Sequence, residues 1–220
     1  MEKLSNNIAN KVALELSLDD DNREVIAYGT FALMQMLLSI IFVFLFGLLF
    51  HVAFAALIIS FTAAVLRKYS GGVHASSPGI CTFIGTIVCV GQAILISLLI
   101  GPVVNLKLVI ILGIVIFIWS YCIIYKLAPV DSIAKPIVKV EKRNRMKKGS
   151  IILLSAYLII TVIFILFYIS SGEKKLLIYA LCLYSGILWQ AFTLTTSGHL
   201  LIGKVDIFLN HIVKKGGKIV

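Results

Sequence analysis

The chain has 220 residues, 60% of them hydrophobic and 14% charged, with a mean hydropathy of +1.05. A soluble domain runs about 45–50% apolar and about 25% charged, so a water-soluble globule, a disordered chain, a collagen and an ordinary nucleic-acid-binding domain are excluded. The net charge of +10 sits between apolar runs, where it reads as membrane orientation and contact with anionic lipid, with no nucleic-acid partner expected.

The N-terminal stretch carries Leu4, Ile8, Val12 and Leu16 at spacing four, with Lys3, Asn6, Asn7, Asn10 and Lys11 among the residues around them. That spacing draws one apolar stripe on a helix and predicts an amphipathic interfacial helix within residues 1–24. The stretch lacks a signal-peptide apolar region, so membrane entry is expected to use internal spans. No charge occurs from Val25 to Leu66, too long a run for one span, and it divides near Gly47–His51. Further apolar runs predict about six transmembrane segments near 27–47, 51–66, 80–100, 106–125, 150–170 and 176–196. The expected fold is an all-α integral membrane protein: a polytopic domain over 25–200 and a basic tail over 201–220. The second segment is short for about 30 Å of hydrocarbon.

Six spans put the N-terminus, the 67–79 loop, the 126–149 loop and the C-terminus on one side. That side holds seventeen of the twenty Lys/Arg, and the other holds Lys107, Lys174 and Lys175. The excess of Lys/Arg marks the cytoplasmic side, so both termini and both loops are expected there.

The chemistry concentrates in one loop, 67–81, which contains Arg67, Gly71, Gly72, His74, Ser76, Ser77, Pro78 and Cys81. Gly71-Gly72 permits a sharp turn. Ser77-Pro78 is a helix-start signal, Ser as N-cap and Pro at the first helical position, which puts Cys81 near the fourth. There the positive end of the helix dipole and free N–H groups favour a thiolate. A thiolate attacking a peptide carbonyl, with His74 taking the thiol proton and later protonating the leaving amine, is the chemistry this pair suits. The plainer alternative is an interfacial histidine and a buried thiol. Cys89, Cys122 and Cys182 fall inside apolar runs and read as small hydrophobes. No disulfide framework, metal site or cofactor is expected.

The run Arg67, Gly71, Gly72, His74, Ala75 and Cys81 resembles the core motif of the accessory gene regulator B (AgrB) family. The stretch Ala128–Ile137, the Gln190-Ala-Phe-Thr-Leu run, the length and the six-segment pattern resemble that family too. The resemblance implies a membrane cysteine endopeptidase of Gram-positive bacteria acting in quorum sensing. It removes the C-terminal tail of an AgrD-type propeptide, keeps the remainder as a thioester, and yields a thiolactone or lactone ring. By matched position Cys81 is the nucleophile and His74 its base, with Arg67, Gly71 and Gly72 in support, and self-association as a homodimer is implied. From the residues themselves, the 126–149 loop offers Lys142, Arg143, Arg145, Lys147 and Lys148 to an acidic peptide tail, or to anionic lipid. Asp131 is a candidate to orient His74. The rival reading is a non-catalytic transporter or export factor for a small peptide, against which stands the lack of charge near the centre of any span.

Overall fold

The computed structural model describes residues 1–73, 75–131 and 139–216, with side chains to Ile212. His74, Lys135 and Pro136 lie outside the described residues. Eight helices follow one another: α1 (Glu2–Glu15), α2 (Asp20–Leu49), α3 (Ala53–Ser70), α4 (Pro78–Ile94), α5 (Leu106–Leu127), α6 (Val140–Ser171), α7 (Lys174–Phe192) and α8 (Thr196–Gly216). A π-helical turn, Leu95–Ile100, continues α4. No strand occurs among the described residues. Among the described residues, helices α2 to α7, with α4 extended through Ile100, are the six long and apolar enough to cross a membrane. The expected all-α membrane fold with six segments is therefore what forms.

Contacts divide the chain into two units, Met1–Phe42 and Val43–Val220. In the first, α1 forms where the apolar spacing predicts a helix. Its buried residues, however, are the small Ser5, Ala9 and Ala13, while Leu4, Ile8 and Leu16 of the predicted stripe are exposed. Asp19 caps α2 by accepting from the Asn22 N–H at 2.9 Å.

In the second unit α7 is the central helix. Leu177, Ala180, Cys182 and Ile187 are completely buried, and α3, α5 and α6 pack around it. Apolar burial gives little drive between helices in lipid, so close backbone approach and interhelical hydrogen bonds carry the packing. A Cβ on Gly186 would stand 2.7 Å from the Ile59 carbonyl oxygen of α3, and one on Gly113 of α5 would stand 2.5 Å from the Tyr184 hydroxyl. Tyr157 of α6 donates to the Thr62 carbonyl of α3 at 3.1 Å, and Tyr121 and Ser155 join α5 to α6 at 2.7 Å. The outward faces stay apolar, as at Ile111, Ile114, Val115 and Ile118, which suits lipid.

Three predicted boundaries shift. The 126–149 segment is not loop throughout, because α6 starts at Val140 and carries Lys142, Arg143, Arg145, Lys147 and Lys148 on its first turns. Lys and Arg are good helix formers, and Glu141 in the first turn complements the helix dipole. Likewise α3 runs on through Arg67 and Lys68, cations suited to a C-terminal turn, so the loop proper is 71–77. The last span ends at Phe192, and the tail beyond Thr195 is helical as α8. At the other end of the basic segment α5 stops at Leu127, two residues before Pro129, as a proline requires.

Candidate active site at one end of the bundle

The α3–α4 loop starts at the C-terminal end of α3 and finishes at the N-terminal turn of α4. Ser77 is the N-cap of α4 and accepts from the Ile80 N–H at 3.3 Å, with Pro78 at the first helical position. The Cys81 N–H donates to the Ser77 carbonyl at 3.0 Å, closing the first turn of the helix. Cys81 therefore sits fourth in α4, as the Ser-Pro signal predicts, and its side chain is half-buried. Arg67, on the last turn of α3, donates from Nη2 to the Val73 carbonyl. Its guanidinium also lies within Coulombic reach of the Cys81 thiol.

The two glycines are held from other segments. Gly71 has φ +69 and ψ −149, a conformation close to glycine-only backbone, and forms a parallel bridge with Val130. The Val130 N–H donates to the Ser70 carbonyl at 2.9 Å. Gln190, 1% exposed near the end of α7, donates from Nε2 to the Ser70 hydroxyl at 2.9 Å and to the Gly71 carbonyl at 2.7 Å. Gly72, at φ +132, leaves no room for a side chain, since a Cβ would stand 2.9 Å from Thr193 Oγ1. The Val73 N–H reaches the Thr193 carbonyl at 3.4 Å. Further along, Ser76 donates from its N–H and its hydroxyl to Asp206 Oδ1 of α8, at 3.1 and 2.9 Å.

Segments separated by two spans in each case, residues 71–77, 128–131 and the 193–216 stretch, thus meet at one end of the bundle. This matches the sidedness that an even span count assigns to them.

Of the residues the sequence singles out, Cys81, Arg67, Gly71 and Gly72 converge here. Asp131 is exposed and makes no polar contact with the loop among the described residues. The basic residues of α6 lie on a separate helix. Lys147 there sits 4.3 Å over the Tyr125 ring, while Arg143, Arg145 and Lys148 are exposed. Cys89 and Cys182 are buried and Cys122 lies on the outer surface. Sequence reasoning passed over Asp206 and Asn210 altogether, and it noticed Ser70, Gln190 and Thr193 only as parts of runs. A lone amide in an otherwise apolar span is the one signal that was there to read, because such a group needs a partner.

These features define a multi-pass helical membrane protein with a polar, internally hydrogen-bonded end that presents a cysteine in the first turn of a capped helix. The family model described as Accessory gene regulator B matches residues 5–194. An AgrB-like protein of Clostridium perfringens (strain SM101 / Type A) is 42% identical over 213 residues, covering 97% of this chain and all of the relative. A second, AgrB-like protein 2 of Clostridium perfringens (strain 13 / Type A), is 44% identical over the same coverage. No solved structure matches. The chain belongs to the AgrB family, which ties it to the accessory gene regulator quorum-sensing system.

Proposed function

We propose that this protein is a membrane-embedded cysteine endopeptidase that trims an AgrD-like propeptide and promotes its cyclisation. The observation that carries the reading is Cys81 at the first closed turn of α4, within Coulombic reach of the Arg67 guanidinium and directly after a loop held from other segments. Cys81 Sγ attacks the scissile carbonyl carbon while His74 accepts the thiol proton. The tetrahedral oxyanion forms next to the fixed positive charge of Arg67. The C–N bond then breaks, His74 returns the proton to the leaving amine, and the tail departs. The retained peptide is now a thioester on Cys81. Its own internal Cys or Ser attacks that carbonyl, the Cys81 thiol is released, and a thiolactone or lactone ring closes.

A propeptide with an amphipathic helix and an acidic tail fits the surroundings. The helix lies in the bilayer interface, and the tail meets Lys142, Arg143, Arg145, Lys147 and Lys148. Anionic lipid competes for the same residues. The enzyme works in the bacterial cell membrane as a homodimer, with both termini and the 71–77 loop in the cytoplasm.

Co-expression with the cognate propeptide, followed by mass spectrometry of the peptide, tests the reading. Cys81→Ser and His74→Ala abolish the cyclic product, and Cys122→Ser does not. Processing that survives in Cys81→Ser removes the nucleophile and favours a non-catalytic export factor.

A further inference from the structure

The segment leading into the Cys81 turn is bonded by an acidic residue of α8, and that residue lies past the stretch the family model covers. Asp206 belongs to α8, beyond residue 194 where the match ends. Its Oδ1 accepts both the N–H and the hydroxyl of Ser76, at 3.1 and 2.9 Å. Asn210, one turn further along α8, donates from Nδ2 to Ser76 Oγ at 2.8 Å and to the Asp206 carbonyl at 2.9 Å. The Ser76 hydroxyl thus donates once and accepts once, within a chain of bonds that crosses more than 120 residues of sequence. Ser76 directly precedes Ser77, the N-cap whose side chain and carbonyl anchor the Ile80 and Cys81 amides.

We infer that Asp206, seconded by Asn210, is a positioning residue for the Cys81 site, fixing through Ser76 the cap from which the nucleophile's helical turn begins. The inference rests on the cysteine-peptidase reading above. It makes α8 a working part of the enzyme rather than a basic tail. The physical case is directional. A carboxylate oxygen accepting two bonds from one residue sets both the position of that residue's backbone and the rotamer of its side chain, and bonds to an ionised acceptor are the stronger kind. The Ser76 hydroxyl is bonded to both Asp206 and Asn210, so loss of either partner is felt next to the cap.

The test uses the full chain in lipid vesicles and two readouts. The first is the rate of Cys81 alkylation by N-ethylmaleimide, followed by peptide mapping with Cys122 of the same molecule as internal standard. The second is turnover of propeptide. Asp206→Leu lowers Cys81 alkylation and saturated turnover on the order of tenfold with little change in KM. Ser76→Ala keeps the backbone bond and loses about threefold. Asp206→Asn, which retains an oxygen acceptor, recovers most of the Asp206→Leu loss. The double variant Ser76→Ala/Asp206→Leu is no worse than Asp206→Leu alone, because both changes break one network. Wild-type alkylation in both single variants, or losses that multiply in the double variant, overturns the inference. If Asp206→Leu fails to insert, Ser76→Ala decides from the loop side. Alkylation needs no propeptide, so a failure of the peptidase reading, seen as cleavage by Cys81→Ser, is read separately.

Discussion

Gly71→Ala is the sharpest probe of how the loop is built. A Cβ there would stand 2.0 Å from the Val130 carbonyl oxygen and 3.0 Å from its carbon, so the Val130 backbone has to move. Val130 cannot move freely, because its N–H is bonded to Ser70 and the adjoining Pro129 is fully buried. The residue is also asked to adopt φ +69 with ψ −149, which costs a non-glycine about 1–3 kcal/mol. Breaking the Val130–Ser70 bond adds about 0.5–1.5 kcal/mol. The sum, about 1.5–4.5 kcal/mol, shifts the balance between seated and unseated loop by roughly 10- to 2,000-fold. Cyclic product should therefore fall by about tenfold or more at matched membrane expression, with Cys81 alkylation falling alongside. Gly91→Ala is the control: it lies within α4 and a Cβ there meets nothing within 4 Å, so it should be neutral or slightly favourable. Both products are quantified by mass spectrometry, and denaturation midpoints are taken in one detergent. A Gly71→Ala protein with wild-type product and midpoint would refute the claim that the bridge to Val130 fixes the site.

Gly72→Ala meets a side-chain oxygen, Thr193 Oγ1, rather than a backbone, so Thr193→Ala added to it should restore part of the lost product. No restoration would place the whole cost in the φ of +132. Reversing the charges of Lys142, Arg143, Arg145, Lys147 and Lys148 should raise the propeptide KM several-fold, more at low salt than at high, since exposed charges are screened over about 8–10 Å. An unchanged KM at low salt removes the acidic-tail contact. A membrane-impermeant thiol reagent applied to intact cells should spare Cys81 and label it after permeabilisation. Labelling from outside reverses the proposed orientation.

The sequence made the spans legible because charge is so costly in hydrocarbon that its absence marks each one. It also made the start of α4 legible, since Ser-Pro is a local signal and the cap bond from Ile80 N–H to Ser77 Oγ is a local bond. The early start of α6 was missed because a run of Lys and Arg says which side of the membrane it prefers and little about whether its backbone is helical. What holds the loop was missed for a different reason. Gln190 reaches Ser70 and Gly71 across about 120 residues, and Asp206 reaches Ser76 across about 130. No pattern along the chain records such pairings. Asp131 drew notice in the sequence as the acid nearest the candidate site, with His74 as its partner, and the described residues add a second acid, Asp206, bonded to the loop.

The loop's own backbone explains why so many segments meet there. Irregular backbone that is buried must find its partners within the protein. The carbonyls of Ser70, Gly71 and Val73 each take a donor from a different source: the Val130 N–H, the Gln190 amide and the Arg67 guanidinium. The bonds that satisfy this backbone are the same ones that immobilise it, so holding the chain and preparing the site are one physical event. Arg67 carries both parts at once, since it bonds Val73 and lies within Coulombic reach of Cys81. A guanidinium does this with a planar fork of donors, whereas an ammonium is a single point. Arg67→Lys should therefore fail despite keeping its charge, and fail in a diagnostic way: lysine seated on Val73 leaves the thiol without its cation, and lysine turned to the thiol leaves the Val73 carbonyl without its donor. Product should drop at least about tenfold in cells, with insertion unchanged. An Arg67→Lys enzyme with wild-type output would show that charge alone suffices at this position, and that the fork holding the loop is dispensable.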